Sequence, residues 1–365
     1  MAAQGKTRGA AAYTDDHSQA GFRQTIKTDL RDIYHFYLDK ASRARLASMG
    51  RIKRGFFLII WLIKSLFLKL SVIRRVFLLI SFYLFFAAII SVNVHDVESL
   101  VNLKSLGYFL LLFILALELK DKLLAKNELA IGRQVQFALM PDTSPELPGW
   151  EIWLFTRPAN EVGGDLVDSI ALEGKRIGLI LGDVAGKGLG AALFMAKLQA
   201  TWRALITDIK SLSDLGKRMN TIFCRDGLPS RFVSMITLEL TANSGRVRSI
   251  NAGHLPPLIL NGSRVYEMEA GSPALGLIKE TEYNEKSLSL QRGEIMLVYS
   301  DGLTEACNED GHFYSRERLQ NLLIKCRGLS AEEAGQRIID DVNTFLGQAR
   351  PNDDLSIIIL KRIEI

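Results

Sequence analysis

Four aspartates recur where apolar runs start or stop, each beside residues that turn a chain. Asp183 closes Leu179-Ile180-Leu181-Gly182 and leads into Val184-Ala185-Gly186-Lys187-Gly188. Asp165 ends the glycine turn Glu161-Val162-Gly163-Gly164. Asp301 follows Val298-Tyr299-Ser300 and precedes Gly302, while Asp353, with Asp354, opens Leu355-Ser356-Ile357-Ile358-Ile359. A single Asp-Gly pair is ordinary turn chemistry. Four carboxylates on strand ends of one domain repel one another unless cations neutralise them. An all-oxygen set selects hard divalent ions such as Mg²⁺ or Mn²⁺. The glycines let backbone and a phosphate approach closely. The other explanation of the same residues is four unconnected turns.

The elements that must position these residues follow from hydrophobic period. Strands are expected over Glu151–Thr156, Leu166–Leu172, Arg176–Asp183, Phe232–Leu240, Arg246–Ala252, Glu294–Ser300 and Leu355–Ile363. Helices are expected over Leu189–Asp208, Leu212–Cys224, Arg316–Cys326 and Ala331–Leu346. The stretch Arg231–Ser300 has little helix, so its strands are expected as antiparallel hairpins.

Several chemistries are excluded by spacing. Gly186-Lys187 is no phosphate-binding P-loop: position 181 is Leu and position 188 is Gly, where that loop needs Gly and Ser or Thr. Cys224, Cys307 and Cys326 form no CxxC and read as reduced thiols. The histidines are scattered and no HExxH occurs, which argues against a zinc hydrolase. Ser300-Asp301-Gly302 lacks the glycines of a nucleophile elbow. Asp183-Val184-Ala185-Gly186-Lys187-Gly188 approaches the Asp-x-Gly-x-Gly of histidine-kinase-type ATPases, but its spacing is one residue too long.

Charge is uneven along the chain. Met1–Arg75 holds 15 basic and 5 acidic residues, and the remainder 30 and 35. A basic head on an acidic body suggests an anionic surface as partner, and the apolar sequence that follows favours lipid over nucleic acid. Phe56–Val72 is apolar but broken by Lys64 and Lys69, which suits an interfacial helix better than a third span. Uncharged Val76–Val92 fits a span, and a second could run over Leu100–Leu117 if Lys104 snorkels. The basic flanks then place both termini in the cytoplasm, giving a multi-pass inner-membrane protein with its catalytic domain inside. The alternative is a buried helical hairpin. Leu117, Leu124, Ile131 and Ala138 recur every seven residues, yet Lys120, Asn127 and Gln134 interrupt the stripe. It either pairs two chains or packs on the next domain.

At these residues the chain resembles the SpoIIE/RsbU branch of the PPM metal-dependent serine/threonine phosphatases. The matching blocks, in family order, are Gln136-Phe137-Ala138-Leu139-Met140-Pro141, Glu161–Asp165, Gly182–Gly188 with Ala191-Ala192, and Phe232-Val233-Ser234. Then follow Asn251-Ala252-Gly253-His254-Leu255-Pro256-Pro257, Tyr299–Ala306 and Asn352-Asp353-Asp354. The resemblance runs from about Gln134 to the C-terminus. It implies an α+β, four-layer αββα sandwich, here preceded by the transmembrane hairpin and a linker helix. It implies two Mn²⁺ or Mg²⁺ on Asp165, Asp183, Asp301, Asp353 and the backbone carbonyl of Val184. The reaction implied is attack on phosphorus by a metal-bound hydroxide, with no protein nucleophile.

The substrate implied is a phosphoserine regulator, a STAS-type anti-sigma-factor antagonist. A homodimer through the linker helix is also implied, and nucleic acid is not an expected partner. Gly164, Lys187, His254 and Asp354 are expected near the substrate or behind the ligands. Lys187 either screens phosphate charge or is a solvated turn lysine, and a turn role suits His254 better than catalysis. Two departures stand out: Phe313-Tyr314-Ser315 replaces an aromatic-Gly pair, and Leu166-Val167-Asp168 replaces an aromatic pair after Gly-Gly-Asp. A catalytically inactive membrane scaffold for the same partner is the competing function, and four intact acidic positions weigh against it. The expected organisation is a basic segment over 1–54, a membrane region over 55–119, a linker helix over 120–145 and a phosphatase domain over 146–365.

Overall fold

The structure, a computed structural model, describes residues 38, 43, 45, 46, 48–90, 97–141, 143–227 and 231–363. The chain divides into two compact units, Met1–Lys122 and Leu123–Ile365.

The first unit contains α1 (Arg51–Lys69), α2 (Val72–Ile90) and most of α3 (Val97–Leu139). Arg74 on α2 pairs with Glu118 and Asp121 on α3, each at 2.5 Å. Nearer the other end of α2, the buried Ser81 hydroxyl donates to the carbonyl of Gly107 at 2.8 Å. Phe56, Ile63, Val72, Leu79, Phe109 and Leu115 are all more than half exposed.

The expected spans at 76–92 and 100–117 are corrected here. Among the described residues no helix is long and apolar enough to cross a membrane. The inner-membrane, multi-pass placement that rested on them falls with that finding. The physical reason is local. Arg74 and Arg75 sit in the first turn of α2, so only Val76–Ile90 of that helix is uncharged. In α3 the apolar run is confined between Lys104 and Glu118, and a span needs about 20 apolar residues. Residues 91–96, at the end of the first expected span and the start of the loop, lie outside the described residues. No break separates the second expected span from the linker: α3 is one helix to Leu139, and Pro141 follows it.

The second unit is built on two five-stranded antiparallel sheets. One has the order β1-β10-β9-β6-β7 and the other β2-β3-β4-β5-β8. The strands are β1 (Trp150–Arg157), β2 (Leu166–Leu172), β3 (Arg176–Val184), β4 (Val233–Thr241), β5 (Arg246–Ala252), β6 (Leu258–Asn261), β7 (Arg264–Glu267), β8 (Lys286–Ser289), β9 (Ile295–Tyr299) and β10 (Leu355–Arg362). The helices are α4 (Leu189–Ile206), α5 (Leu212–Arg225), the short α6 (Asp301–Thr304), α7 (Arg316–Lys325) and α8 (Ala331–Leu346).

Period-two alternation separates three buried layers. Leu179 and Leu181 of β3 meet Met296, Val298, Ile358 and Leu360 between the sheets. Ile180, one residue out of phase, faces Leu198 and Trp202 of α4. Likewise Ile357 and Ile359 of β10 face Ile338 and Val342 of α8. The result is helices, sheet, sheet, helices, the αββα order expected from the resemblance. Strands β6, β7 and β8 and helix α6 were not expected from the sequence.

Candidate functional site

Register brings the aspartates to one end of the two sheets. Leu166 of β2 opposes Gly182 of β3, so Asp165 and Asp183 lie at the next position of the same antiparallel ladder. In the other sheet Ile357 of β10 opposes Tyr299 of β9, and Ser300 donates to the carbonyl of Ser356 at 3.0 Å. Asp301 begins α6 directly beyond β9, and Asp353-Asp354 directly precede β10.

Asp354 ties the two sheets together. Its carboxylate accepts from the backbone N–H of Ala159 at 2.8 Å and of Gly164 at 2.6 Å. A Cβ on residue 163 would lie 2.4 Å from the same carboxylate, so that turn position requires glycine. At residue 302 a Cβ would lie 2.0 Å from the carbonyl of Asp354, which fixes Gly302 in the same way.

The electrostatics are those of crowded anions. Burial raises the pKa of Asp165 well above the usual carboxylate range, and the charges of Asp183 and Asp354 add to it. Burial, with Asp301, Asp353 and Asp354, pushes Asp183 up to about 7. Asp301 is also raised, by burial first and then by Asp353 and Glu305. Lys187 offsets this repulsion: its ammonium lies 2.8 Å from Asp353 Oδ2 and 2.6 Å from the carbonyl of Asn352.

Among the described residues no group of three His, Cys, Asp or Glu side chains is arranged to hold a metal ion as it stands. Three observations nevertheless fit cations to this end. Asp165 Oδ2 is buried without a hydrogen-bond partner. Burial and neighbouring carboxylates raise the pKa of Asp165, Asp183 and Asp301, which a cation would reverse. A Cβ on Gly164 would stand 3.1 Å from the carbonyl oxygen of Val184, so glycine leaves that oxygen uncovered.

His254 is buried, and burial pulls its pKa down to about 4, so the ring stands neutral. Its Nδ1 lies 3.3 Å from Ser234 Oγ. Asn251 brackets it, accepting from its N–H at 2.8 Å and donating to its carbonyl at 3.0 Å.

Three further residues were given no role of their own from the sequence. Gln136 donates to the carbonyl of Gly163 at 2.8 Å and accepts from its N–H at 3.1 Å. The Arg231 guanidinium lies over the loop after β3: a Cβ on Gly186 or Gly190 would come within 2.9 or 2.6 Å of it. Asp168, in the segment that departs from the family pattern, is fully buried and takes a two-point contact from Arg203 at 2.7 and 2.8 Å. A buried polar residue at an apolar position was the available clue for Asp168; for Gln136, membership of a matching block was the only one.

The family model described as Stage II sporulation protein E (SpoIIE) matches residues 173–363. The chain is similar to protein IcfG of Synechocystis sp., 29% identical over 238 residues, covering 58% of this chain and 37% of IcfG. It is similar to the phosphoserine phosphatase RsbU of Bacillus subtilis, 27% identical over 239 residues, covering 65% of this chain and 70% of RsbU. It thus spans well under half the length of the first of these relatives. The fold is similar to that of the SiaA-PP2C domain of Pseudomonas aeruginosa, with a TM-score of 0.59 and 17% identity, covering 67% of this chain and 99% of that domain.

Proposed function

This chain belongs to the SpoIIE family, and from that membership we propose that it is a metal-dependent protein serine/threonine phosphatase. The observation that carries the proposal is the convergence of Asp165, Asp183, Asp301 and Asp353 from four strand ends onto one end of the sandwich. These carboxylates and the carbonyl of Val184 would hold two Mn²⁺ or Mg²⁺. When bound, such ions lower the pKa of a coordinated water and neutralise phosphoryl charge.

The chain's own residues have separable roles. Asp354 holds the turn before Asp165, and Gly164 keeps the Val184 carbonyl open. Lys187 pairs with Asp353, and once a cation takes that carboxylate its ammonium would be free to screen the charge of a phosphate. His254, neutral and bracketed by Asn251, shapes the turn after β5. The substrate proposed is phosphoserine on a small regulatory protein of the STAS type. Support comes from similarity to RsbU, which is named a phosphoserine phosphatase. The C-terminal half of α3, ending at Leu139, is proposed as a linker that pairs two copies.

The test is hydrolysis of p-nitrophenyl phosphate by the full chain, with Mn²⁺ and with EDTA. Turnover that needs the metal is expected. No turnover with Mn²⁺ or Mg²⁺ would favour a non-catalytic scaffold.

A further inference from the structure

The final turns of α3 are built into the second unit. A Cβ on Gly132 would lie 3.8 Å from Val162 Cγ1, Arg133 pairs with Glu161 at 3.7 Å, and Met140 joins the core under α4. Gln199 of α4 donates to the carbonyl of Leu139 and, at 2.9 Å, to Asp168. Within this contact Gln136 is 4% exposed. Its amide satisfies both the N–H and the C=O of Gly163.

The next two residues are Gly164 and Asp165. Asp354 grips the neighbouring amide of Gly164 with its carboxylate, from the other sheet. The turn that aims Asp165 is therefore fixed by two side chains from elements far apart in sequence. One of them, Asp354, belongs to the acidic cluster, and the other does not.

We infer that Gln136 is a positioning residue for Asp165: by holding both the backbone N–H and the backbone C=O of Gly163, it sets the direction in which the Asp165 carboxylate meets a cation. This rests on the metal-centre proposal above. Groups that orient a ligand without touching the metal typically alter its affinity by about 10- to 100-fold. A side chain that cannot bond leaves the N–H and C=O of Gly163 buried and unpaired, and the turn must then move to find partners. Gln suits this task because it both donates and accepts in one plane, whereas Glu at neutral pH only accepts.

The experiment uses the full chain with Gln136→Leu and Gln136→Glu. Mn²⁺ affinity is measured by isothermal titration calorimetry, and thermal midpoints are taken in EDTA. Gln136→Leu is expected to raise the Kd for Mn²⁺ by about tenfold or more. Gln136→Glu, which keeps the bond from Gly163 N–H, is expected to raise it less. The Mn²⁺ concentration for half-maximal hydrolysis should move in step with Kd, and turnover should recover at saturating Mn²⁺. A purely structural role would lower the EDTA midpoint and leave Kd unchanged in whichever variant folds, and that result overturns the inference. If the wild-type chain binds no Mn²⁺, the metal-centre proposal fails as well. Equal binding by wild type and both variants overturns this inference alone.

Discussion

Adjacent aspartates of similar chemistry do different work at the acidic end of the sandwich. Asp353 is part-exposed and faces Lys187, whereas Asp354 is buried and spends its oxygens on backbone N–H groups. Replacing Asp354 with Ala leaves the amides of Ala159 and Gly164 without their acceptor. The buried amide of Gly164, left unpaired, costs about 1–3 kcal/mol, so the thermal midpoint of Asp354→Ala should fall by several degrees, read by scanning calorimetry. A wild-type midpoint would contradict the clamp.

The shifted carboxylates give a second prediction. A carboxyl whose folded pKa is raised binds its proton more tightly in the folded than in the unfolded chain. For Asp183 that window runs from the usual 3.8 to about 7. Folded stability in EDTA should therefore fall as pH rises through that window. Mn²⁺ should flatten the fall by stabilising the charged form, with midpoints followed from pH 4 to 8. A midpoint in EDTA that holds steady or rises across the window would speak against crowded carboxylates. The four strand-end aspartates were legible in the sequence because each sits at a change from apolar run to turn. Gln136 and Arg231 were not, since their partners are backbone groups and glycines brought near only by the fold.

At the scale of elements, the long strands and the four larger helices of the second unit were legible to within a residue or two. Leu166–Leu172, Arg246–Ala252 and Ala331–Leu346 have the expected bounds. The last is fixed by a capping box in which Ser330 and Glu333 bond one another's backbone. Strands β6, β7 and β8 escaped because each has four residues and carries little apolar periodicity. Pairing with neighbours, rather than local preference, makes them strands.

Helix α3 carries the remaining element-scale prediction. Leu123, Leu124, Ile131 and Val135 are each more than half exposed on its described surface. Such a stripe interrupted by Asn127 and Gln134 suits a weak seam with two accessible packings. Leu124→Lys or Ile131→Lys should reduce self-association in analytical ultracentrifugation and change phosphatase activity. Sedimentation and activity equal to wild type in both variants would make the helix a passive connector.

At the scale of the whole molecule, composition misled where charge position mattered more than apolar content. The N-terminal third looked like a membrane hairpin because its apolar runs are close together. Within the helices, Arg74, Arg75, Lys104 and Glu118 shorten those runs below what a bilayer needs. The second unit was more legible because its doubly buried strands read as short apolar runs bounded by turn residues, a pattern that survives in a single sequence.

On this reading the four aspartates act together as one cation-dependent centre. The most direct measurement compares p-nitrophenyl phosphate hydrolysis by the wild-type chain and by Asp183→Asn across a Mn²⁺ titration. Circular dichroism serves as the control for folding. Loss of one charged ligand should abolish metal-dependent turnover at every Mn²⁺ concentration, with the fold intact. Wild-type turnover by Asp183→Asn at saturating Mn²⁺ would rule out a shared cation centre.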